Sequence, residues 1–323
     1  MLQRLRSWYR HLVRSDARVT VPQVWQNQEH LAESSTSACH AVDAASLRRL
    51  RQVVLSDRLC RTLLEGYQEH LRSGRGHLET AWILLGRRQQ EQALALAALP
   101  AGARSDAGVA HVRIHGPSHA VFYRILKQFH RDLDLIGIVH THPGALHHPS
   151  SGDYEGDADW VRQLRGQEGI FGIGTHIEAE RTDGSEDIAT QPEAHILCYG
   201  DVRFDWYALA RGDANYRPLP LQILPGPDWA TPLRPHLSTI EQHAERIERL
   251  CQQLRHVRFE LTSEAVLVSM RLPDEAGELK VRLTGGERPQ YFLARGRDWL
   301  PADTDELRID RAVYNILAAL TPD

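Results

Sequence analysis

Short apolar runs along the chain predict buried strands in its middle part. The clearest is Leu135–Val139, which is too short for a helix and has no polar interruption. Glu91–Leu99 consists largely of Ala and Leu and fits either a strand or a short helix. Further strands are predicted over three segments: Arg51–Ser56, Gly169–Ile177 and Ala194–Ala208.

Two other segments space their apolar residues as helices do. Asp57–Leu71 places its leucines and Tyr67 on one side, and the glycines at 74 and 76 end it. Ser118–Leu133 predicts a second helix, with Ser118 as its N-cap. The middle of the chain therefore predicts a mixture of strands and helices.

Prolines mark a boundary after this region. Residues 217–235 hold six of the 16 prolines, which excludes a regular helix, and we predict a linker over residues 213–236. Residues 237–323 then predict a smaller α+β domain of one helix, a three-stranded meander and a closing helix. The segments are Leu237–Val257, Arg258–Arg271, Glu278–Leu283, Gln290–Ala294 and Asp303–Leu320.

The element order of residues 237–323 resembles the RWD and ubiquitin-conjugating-enzyme-like fold, and the resemblance rests on that order alone. No cysteine follows the meander, so thioester chemistry is not expected there. Two interpretations stay open for this non-catalytic domain. It either docks a partner or substrate, or it covers part of the preceding domain.

Composition excludes several classes of protein. A length of 323 residues suits two domains, and a net charge of −4 gives no basic footprint for nucleic acid. No apolar run approaches the length of a transmembrane helix. Residues 1–47 predict an N-terminal extension, partly helical and partly flexible, without the apolar core of a signal peptide. Its basic amphipathic start favours packing against a domain or partner over lying on a membrane surface.

Four cysteines at positions 39, 60, 198 and 251 show neither a C-x-x-C pair nor the spacing of a disulfide framework. We interpret them as reduced thiols of a cytoplasmic protein. Cys60 and Cys251 fall within helical patterns, where a small buried side chain is the simpler explanation than a nucleophile.

The most informative residues directly follow the Leu135–Val139 run. His140 and His142 are separated by one residue, and on a strand such residues point to the same face. Asp153, past a turn with Pro and Gly, can supply a third ligand, which leaves a fourth tetrahedral position for water, as in catalytic zinc sites. Ser150 would place a hydroxyl nearby. The alternative is a histidine-rich loop at a strand end.

The spacing H-x-H, seven residues, S-x-x-D resembles the signature of the JAMM (JAB1/MPN+) family of zinc metalloproteases. That family also needs a glutamate on an earlier strand, before small or apolar residues and a glycine. Glu79–Gly86 fits this pattern, with one departure at Trp82, where relatives commonly carry glycine. The resemblance covers residues 48–212 and implies an α/β fold, a cytidine-deaminase-like α-β-α domain with a mixed sheet.

The resemblance also implies roles for single residues. Zn²⁺ would be bound by His140, His142 and Asp153, with Glu79 as the general base and Ser150 as the donor to the oxyanion. The bond cleaved would be an amide or isopeptide after the C-terminal glycine of a ubiquitin-like protein. The loop histidines 147 and 148 are expected to be solvated or to face the substrate.

Among its relatives the chain resembles the prokaryotic deubiquitinase-like type, found in ubiquitin-like conjugation operons, some of them linked to phage defence. The expected partners are a ubiquitin-like protein or its conjugates, with the activating and conjugating enzymes of the same system. Two alternatives are a peptidase that trims a sulfur-carrier protein and a non-catalytic MPN scaffold. The complete ligand set together with Glu79 argues against the scaffold.

Overall fold

The computed structural model describes residues 47–177, 189–190, 194–254, 256–272, 277–295 and 298–320. The predicted N-terminal extension therefore lies outside the described residues, apart from residue 47. Within these ranges the chain forms two compact units. The first unit takes residues 47–114 and 132–231, and the second takes residues 115–131 and 232–320.

The first unit is built on a mixed sheet that has ten strands within the described residues, in the order β12-β1-β3-β2-β6-β7-β10-β9-β8, with β11 beside β10. A separate small hairpin pairs β4 with β5. The strands are β1 Gln52–Ser56, β2 Ala81–Gln89, β3 Gln92–Pro100, β4 Asp106–Ala107, β5 Val112–Arg113, β6 Asp134–Thr141, β7 Glu168–His176, β8 Ala189–Thr190, β9 Ile196–Tyr199, β10 Val202–Ala210, β11 Arg217–Pro218 and β12 Leu221–Leu224.

β6 lies at the centre of this sheet, between an antiparallel neighbour, β2, and a parallel neighbour, β7. A strand that is paired on both sides is held firmly along its length, so the residues at its end are placed accurately. The apolar run that predicted this strand forms most of it. The segment Glu91–Leu99, open between helix and strand, forms β3.

Helices join the strands in both units. They are α1 Asp57–His70, α2 Gly116–Phe129, α3 Ser151–Trp160, α4 Leu237–Gln253 and α5 Ile309–Leu320. α1 begins where the Ser56 hydroxyl accepts a hydrogen bond from Leu59 N at 3.2 Å. It buries one face, including Leu63 and Tyr67, in the core of the first unit. The large mixed sheet and these helices confirm the α/β class, while the finer cytidine-deaminase-like arrangement stays a prediction.

Trp82, the departure from the family pattern, is accommodated by a glycine on α1. Its side chain is buried, and β2 pairs it with Val139 of β6 without interruption. A Cβ atom on Gly66 would stand 3.0 Å from the indole Cζ2. Gly66 therefore leaves the space that the larger side chain occupies.

In this region of the chain, two predictions about elements were wrong. Ala194–Ala208 contains the two antiparallel strands β9 and β10 instead of one, and they turn at Gly200, whose φ of +56° suits glycine. Ser118 is not the N-cap of α2, because the helix begins at Gly116 with Pro117 in its first turn. The Ser118 hydroxyl instead lies 2.7 Å from His115 Nδ1.

The proline-rich segment contributes to the first unit over much of its length. β12 pairs in parallel with β1, and β11 pairs with β10. Arg217 Nη2 donates to Glu168 Oε1 at 2.8 Å, and this glutamate is buried. Proline excludes a helix but is tolerated on edge strands, so a segment with many prolines can still belong to a sheet. Residues 213–231 thus lie in the first unit, where a linker was expected.

The second unit contains a five-stranded antiparallel sheet within the described residues, with α2, α4 and α5. Its strands are β13 Arg258–Leu261, β14 Ala265–Arg271, β15 Glu278–Thr284, β16 Gln290–Arg295 and β17 Asp298–Pro301. The predicted strand Arg258–Arg271 is a hairpin, and β17 was not predicted. α2 belongs to this unit, although the sequence placed it in the preceding domain. In the described part of the chain, no helix combines the length and the apolar character needed to cross a membrane.

Candidate metal centre

Three side chains predicted as metal ligands converge at the end of β6. His140 lies in the strand, His142 directly follows it, and Asp153 lies in the first turn of α3. The two Nε2 atoms of the histidines are 3.0 Å apart. Asp153 places Oδ1 3.2 Å from His140 Nε2 and Oδ2 3.3 Å from His142 Nε2. The candidate ligand atoms all lie within 4.8 Å of one another.

Backbone hydrogen bonds hold His142 beyond the end of the strand. Its backbone N–H donates to Gly174 O of β7 at 2.9 Å. Its Nδ1 lies 2.7 Å from Leu146 O. A carbonyl oxygen can only accept, so Nδ1 carries a proton, and Nε2, which faces His140 and Asp153, is the atom left to bind a metal.

This donor set fits a divalent cation such as Zn²⁺. Imidazole nitrogens and a carboxylate are its usual ligands in proteins, and three of them leave a position open. Burial raises the pKa of Asp153, but hydrogen bonds from His140 and His142 outweigh it and hold that pKa well below its usual range. The carboxylate is therefore ionised, as a metal ligand must be.

Ser150 orients the Asp153 carboxylate and caps α3. Its hydroxyl donates to Asp153 Oδ2 at 2.8 Å, and its backbone N–H donates to the same oxygen at 2.6 Å. The Ser150 Oγ in turn accepts from Asp153 N at 3.2 Å, which completes a capping box. One pair of residues thus starts the helix and aims a candidate ligand. The oxyanion role of Ser150 stays a prediction.

Glu79 lies just before β2, next to the strand that carries the histidines. The register of β2 and β6 pairs Ala81 with His140. Beyond that pair, Thr80 N donates to Thr141 Oγ1 at 3.0 Å, and Thr141 N donates to Thr80 O at 2.9 Å. The two segments therefore stay locked together up to the residue that follows Glu79.

The Glu79 side chain is only 6% exposed. Burial raises its pKa from the ordinary value of 4.5 to about 7, with Asp153 adding to the rise and His142 opposing it. A carboxyl group whose pKa lies near neutrality can both take and return a proton, which suits a general base.

Other titratable groups lack this arrangement. The side chains of His147 and His148 are exposed, and neither belongs to the cluster of candidate ligands found among the described residues. Burial raises the pKa of the Cys60 thiol to about 12 and that of Cys251 to about 11. Neither thiol ionises readily near neutral pH, which argues against thiol catalysis by these two residues.

Sequence reasoning missed several groups around the centre. The Leu146 carbonyl cannot be found from residue identity, because every residue has a carbonyl. Thr141 stands between the two histidines, but its contact with Thr80 depends on strand register. Tyr207 and Tyr216 lie far along the chain and carry no motif.

Comparison with known proteins finds a match over the part of the chain that holds these residues. Residues 67–185 match a family model described as prokaryotic homologs of the JAB domain. The match spans just over a third of the chain and contains Glu79, His140, His142, Ser150 and Asp153. It supports a JAB/MPN-like domain in this part of the chain.

The other comparisons add no function. None of the curated proteins matches the chain. Among solved structures, the solution structure of protein DSY2949 from Desulfitobacterium hafniense is 13% identical, with a TM-score of 0.34. The alignment covers 55% of this chain and 95% of that one. A TM-score this low does not establish a shared fold.

Proposed function

We propose that this protein is a zinc-dependent peptidase or isopeptidase that cleaves after the C-terminus of a ubiquitin-like protein. The observation that carries the proposal is the convergence of His140, His142 and Asp153, whose candidate ligand atoms lie within 4.8 Å of one another. The buried Glu79 lies just before β2, the strand that pairs with the histidine-bearing β6. A complete ligand set beside a carboxyl group with a raised pKa is expected of an enzyme and is not required by a non-catalytic scaffold. The match to prokaryotic JAB-domain homologs supports the same class of domain.

Each residue has a separate task in this proposal. His140, His142 and Asp153 would hold the zinc ion, which supplies a Lewis acid and activates water when bound. Glu79 would take a proton from the water that attacks the amide carbonyl and would deliver it to the leaving amine. Ser150 would first orient Asp153 and then donate to the negative charge that develops on the carbonyl oxygen.

The substrate and setting follow from the family likeness and stay proposals. The substrates would be a ubiquitin-like precursor or its conjugates. The activating and conjugating enzymes of the same system would be partners, and the system would act in defence against phage. We further propose a cytoplasmic location, since the unreacted thiols Cys60 and Cys251 suit a reducing compartment.

The test is cleavage of ubiquitin-like proteins that carry a fluorophore through an amide at their C-terminus. The full-length chain, loaded with zinc, should release the fluorophore. Glu79→Gln should lower turnover by about 10²–10⁴-fold while keeping its zinc, since Glu79 is a base and not a ligand. Glu65→Gln is the matched control, because Glu65 is an exposed residue of α1.

Two outcomes would replace the proposal with an alternative. Cleavage of a sulfur-carrier protein, with none of the ubiquitin-like amides cleaved, would indicate a role in sulfur-carrier processing. If the zinc-loaded wild type cleaves none of these substrates, and Glu79→Gln shows the same background rate, the protein would be a scaffold.

A further inference from the structure

Three tyrosines meet edge to face beside the metal centre. The ring of Tyr216 lies 6.3 Å from that of Tyr154 and 6.3 Å from that of Tyr207. Phe171 of β7 lies 5.5 Å from Tyr216 on another side. Edge-to-face contacts of this kind favour fixed ring orientations. The tyrosine cluster (Tyr154, Tyr207 and Tyr216) is therefore a rigid group in the first unit.

Two members of the cluster donate their hydroxyls to the segments that bear the candidate ligands, whereas Tyr154 Oη donates to Asp213 O at 2.7 Å. Tyr207 Oη donates to His147 O at 3.2 Å, in the loop between His142 and Asp153. Tyr216 Oη donates to Asp157 Oδ2 at 2.7 Å, on α3. Burial, and then the neighbouring Asp157, raises the pKa of Tyr216 above its ordinary value, so its hydroxyl stays protonated and remains a donor.

The loop between His142 and Asp153 is held in place by few contacts of its own secondary structure. Residues 143–149 form no helix or strand, and Gly144 has a φ of +115°, so the loop has little structure of its own. It nevertheless supplies Leu146 O, which fixes the tautomer of His142. His147 O, the acceptor of Tyr207, belongs to the next residue. Holding this carbonyl thus holds the acceptor of a metal ligand.

α3 has a similar need. It is ten residues long, and helices of this length are marginal unless they are packed against other elements. Asp157 stands four residues after Asp153, which places the two carboxyls on the same face of the helix. The bond from Tyr216 to Asp157 therefore fixes the rotation of α3, and with it the direction of the Asp153 side chain.

We propose that Tyr207 and Tyr216 are positioning residues of the metal centre, which set the geometry of His142 and Asp153 through His147 O and Asp157. This inference rests on the metal-binding part of the proposed function. It goes beyond that function by placing control of metal affinity in two residues that touch neither the metal nor the substrate.

The test compares zinc affinity with the stability of the metal-free protein. Tyr207→Phe and Tyr216→Phe keep the rings and remove one hydroxyl each. Outer hydrogen-bond partners of metal ligands are worth roughly 10–100-fold in affinity, and we expect about a tenfold weaker Kd for each variant in competition with a chelator. Tyr314→Phe is the matched control, since Tyr314 donates to Gln253 within the second unit. Its zinc affinity should equal that of the wild type.

Two further measurements separate positioning from general stability. The Tm of the metal-free variants should change little compared with Kd. The visible spectrum of bound Co²⁺, which reports the geometry of its ligands, should differ in Tyr207→Phe and Tyr216→Phe but not in Tyr314→Phe. Wild-type zinc affinity and Co²⁺ spectra in both site variants would overturn the inference, even if their Tm fell. A wild-type chain that binds no zinc would instead contradict the proposed function itself.

Discussion

Glu79 shows how burial changes the acidity of a single residue. Its pKa is raised from 4.5 to about 7 chiefly because the ionised form loses contact with water. The same shift means that ionised Glu79 destabilises the metal-free folded protein, since ionising this group costs more free energy in the folded state than in the unfolded chain.

This linkage gives a prediction for the metal-free protein. Because the folded pKa is the higher one, the stabilising contribution of protonated Glu79 is complete below pH 4.5 and is lost as pH rises through about 7. The full shift corresponds to about 3 kcal/mol. We expect the free energy of unfolding of the wild type, measured relative to Glu79→Gln, to fall by roughly 2–3 kcal/mol between pH 5 and pH 8.

Urea unfolding of both proteins across this range provides the measurement. Glu65→Gln controls for the loss of a carboxyl group, since Glu65 is exposed. Parallel pH curves for the wild type and Glu79→Gln would show that Glu79 has no raised pKa in the folded protein.

Residue type and spacing allowed the sequence to predict which side chains lie close together. The alternation of side chains along a strand brings His140 and His142 to one face, and the structure places Asp153 beside them. The second task of Ser150, as the cap of α3, depends on where that helix begins. The bond from His142 to Leu146 O uses a backbone atom, which no residue pattern can indicate.

At the scale of elements, the position of the histidines depends on the close approach of β6 to β7. A Cβ atom on Gly137 would lie 2.2 Å from Ile170 O, a backbone atom that cannot move without shifting the sheet. By contrast, a Cβ atom on Gly156 in α3 would meet nothing within 4 Å. The structure therefore has no room for a side chain at Gly137, whereas it has room for one at Gly156.

We expect Gly137→Ala to destabilise the protein by more than about 2 kcal/mol, since neither strand can yield locally. Gly156→Ala should instead stabilise it by roughly 0.5–1 kcal/mol, because alanine loses less backbone entropy in a helix. Chemical denaturation of both variants measures these changes. Equal stability of Gly137→Ala and the wild type would mean that β6 and β7 are not packed this closely.

Element predictions failed where chain reversal or pairing decided the structure. The apolar pattern of Ala194–Ala208 continues across the turn at Gly200, so periodicity alone does not show that two strands are present. The strand β12 lies among prolines, and only its pairing with β1 makes it a strand. The longer patterns, such as those of α1 and α4, were predicted within a few residues because their apolar faces are continuous.

At the scale of the whole molecule, the second unit is discontinuous in sequence. α2 comes from residues 115–131, between segments of the first unit. Periodicity shows that α2 has an apolar face, but not which unit buries it. The domain boundary predicted from the prolines could not reveal this arrangement.

Gln128 ties α2 into the second unit and allows a test of this division. Its Nε2 donates to Phe259 O at 2.6 Å, and its Oε1 accepts from Phe259 N at 2.8 Å. Gln128→Ala leaves both backbone groups of the edge strand β13 without these partners, and we expect a loss of about 1–3 kcal/mol in the free energy of unfolding. Gln252→Ala, at an exposed position of α4, should change it by less than about 0.5 kcal/mol. Equal effects of the two variants would contradict the role of α2 in this unit.

The most direct test of the central claim is the metal content of the purified full-length chain. The wild type should hold about one zinc ion per chain, because three ligands and an open position form one site. His140→Ala should lose most of this zinc. His147→Ala, which removes an exposed histidine of the adjacent loop, should keep it. A wild-type chain without zinc after loading, or equal zinc in His140→Ala and His147→Ala, would contradict the account.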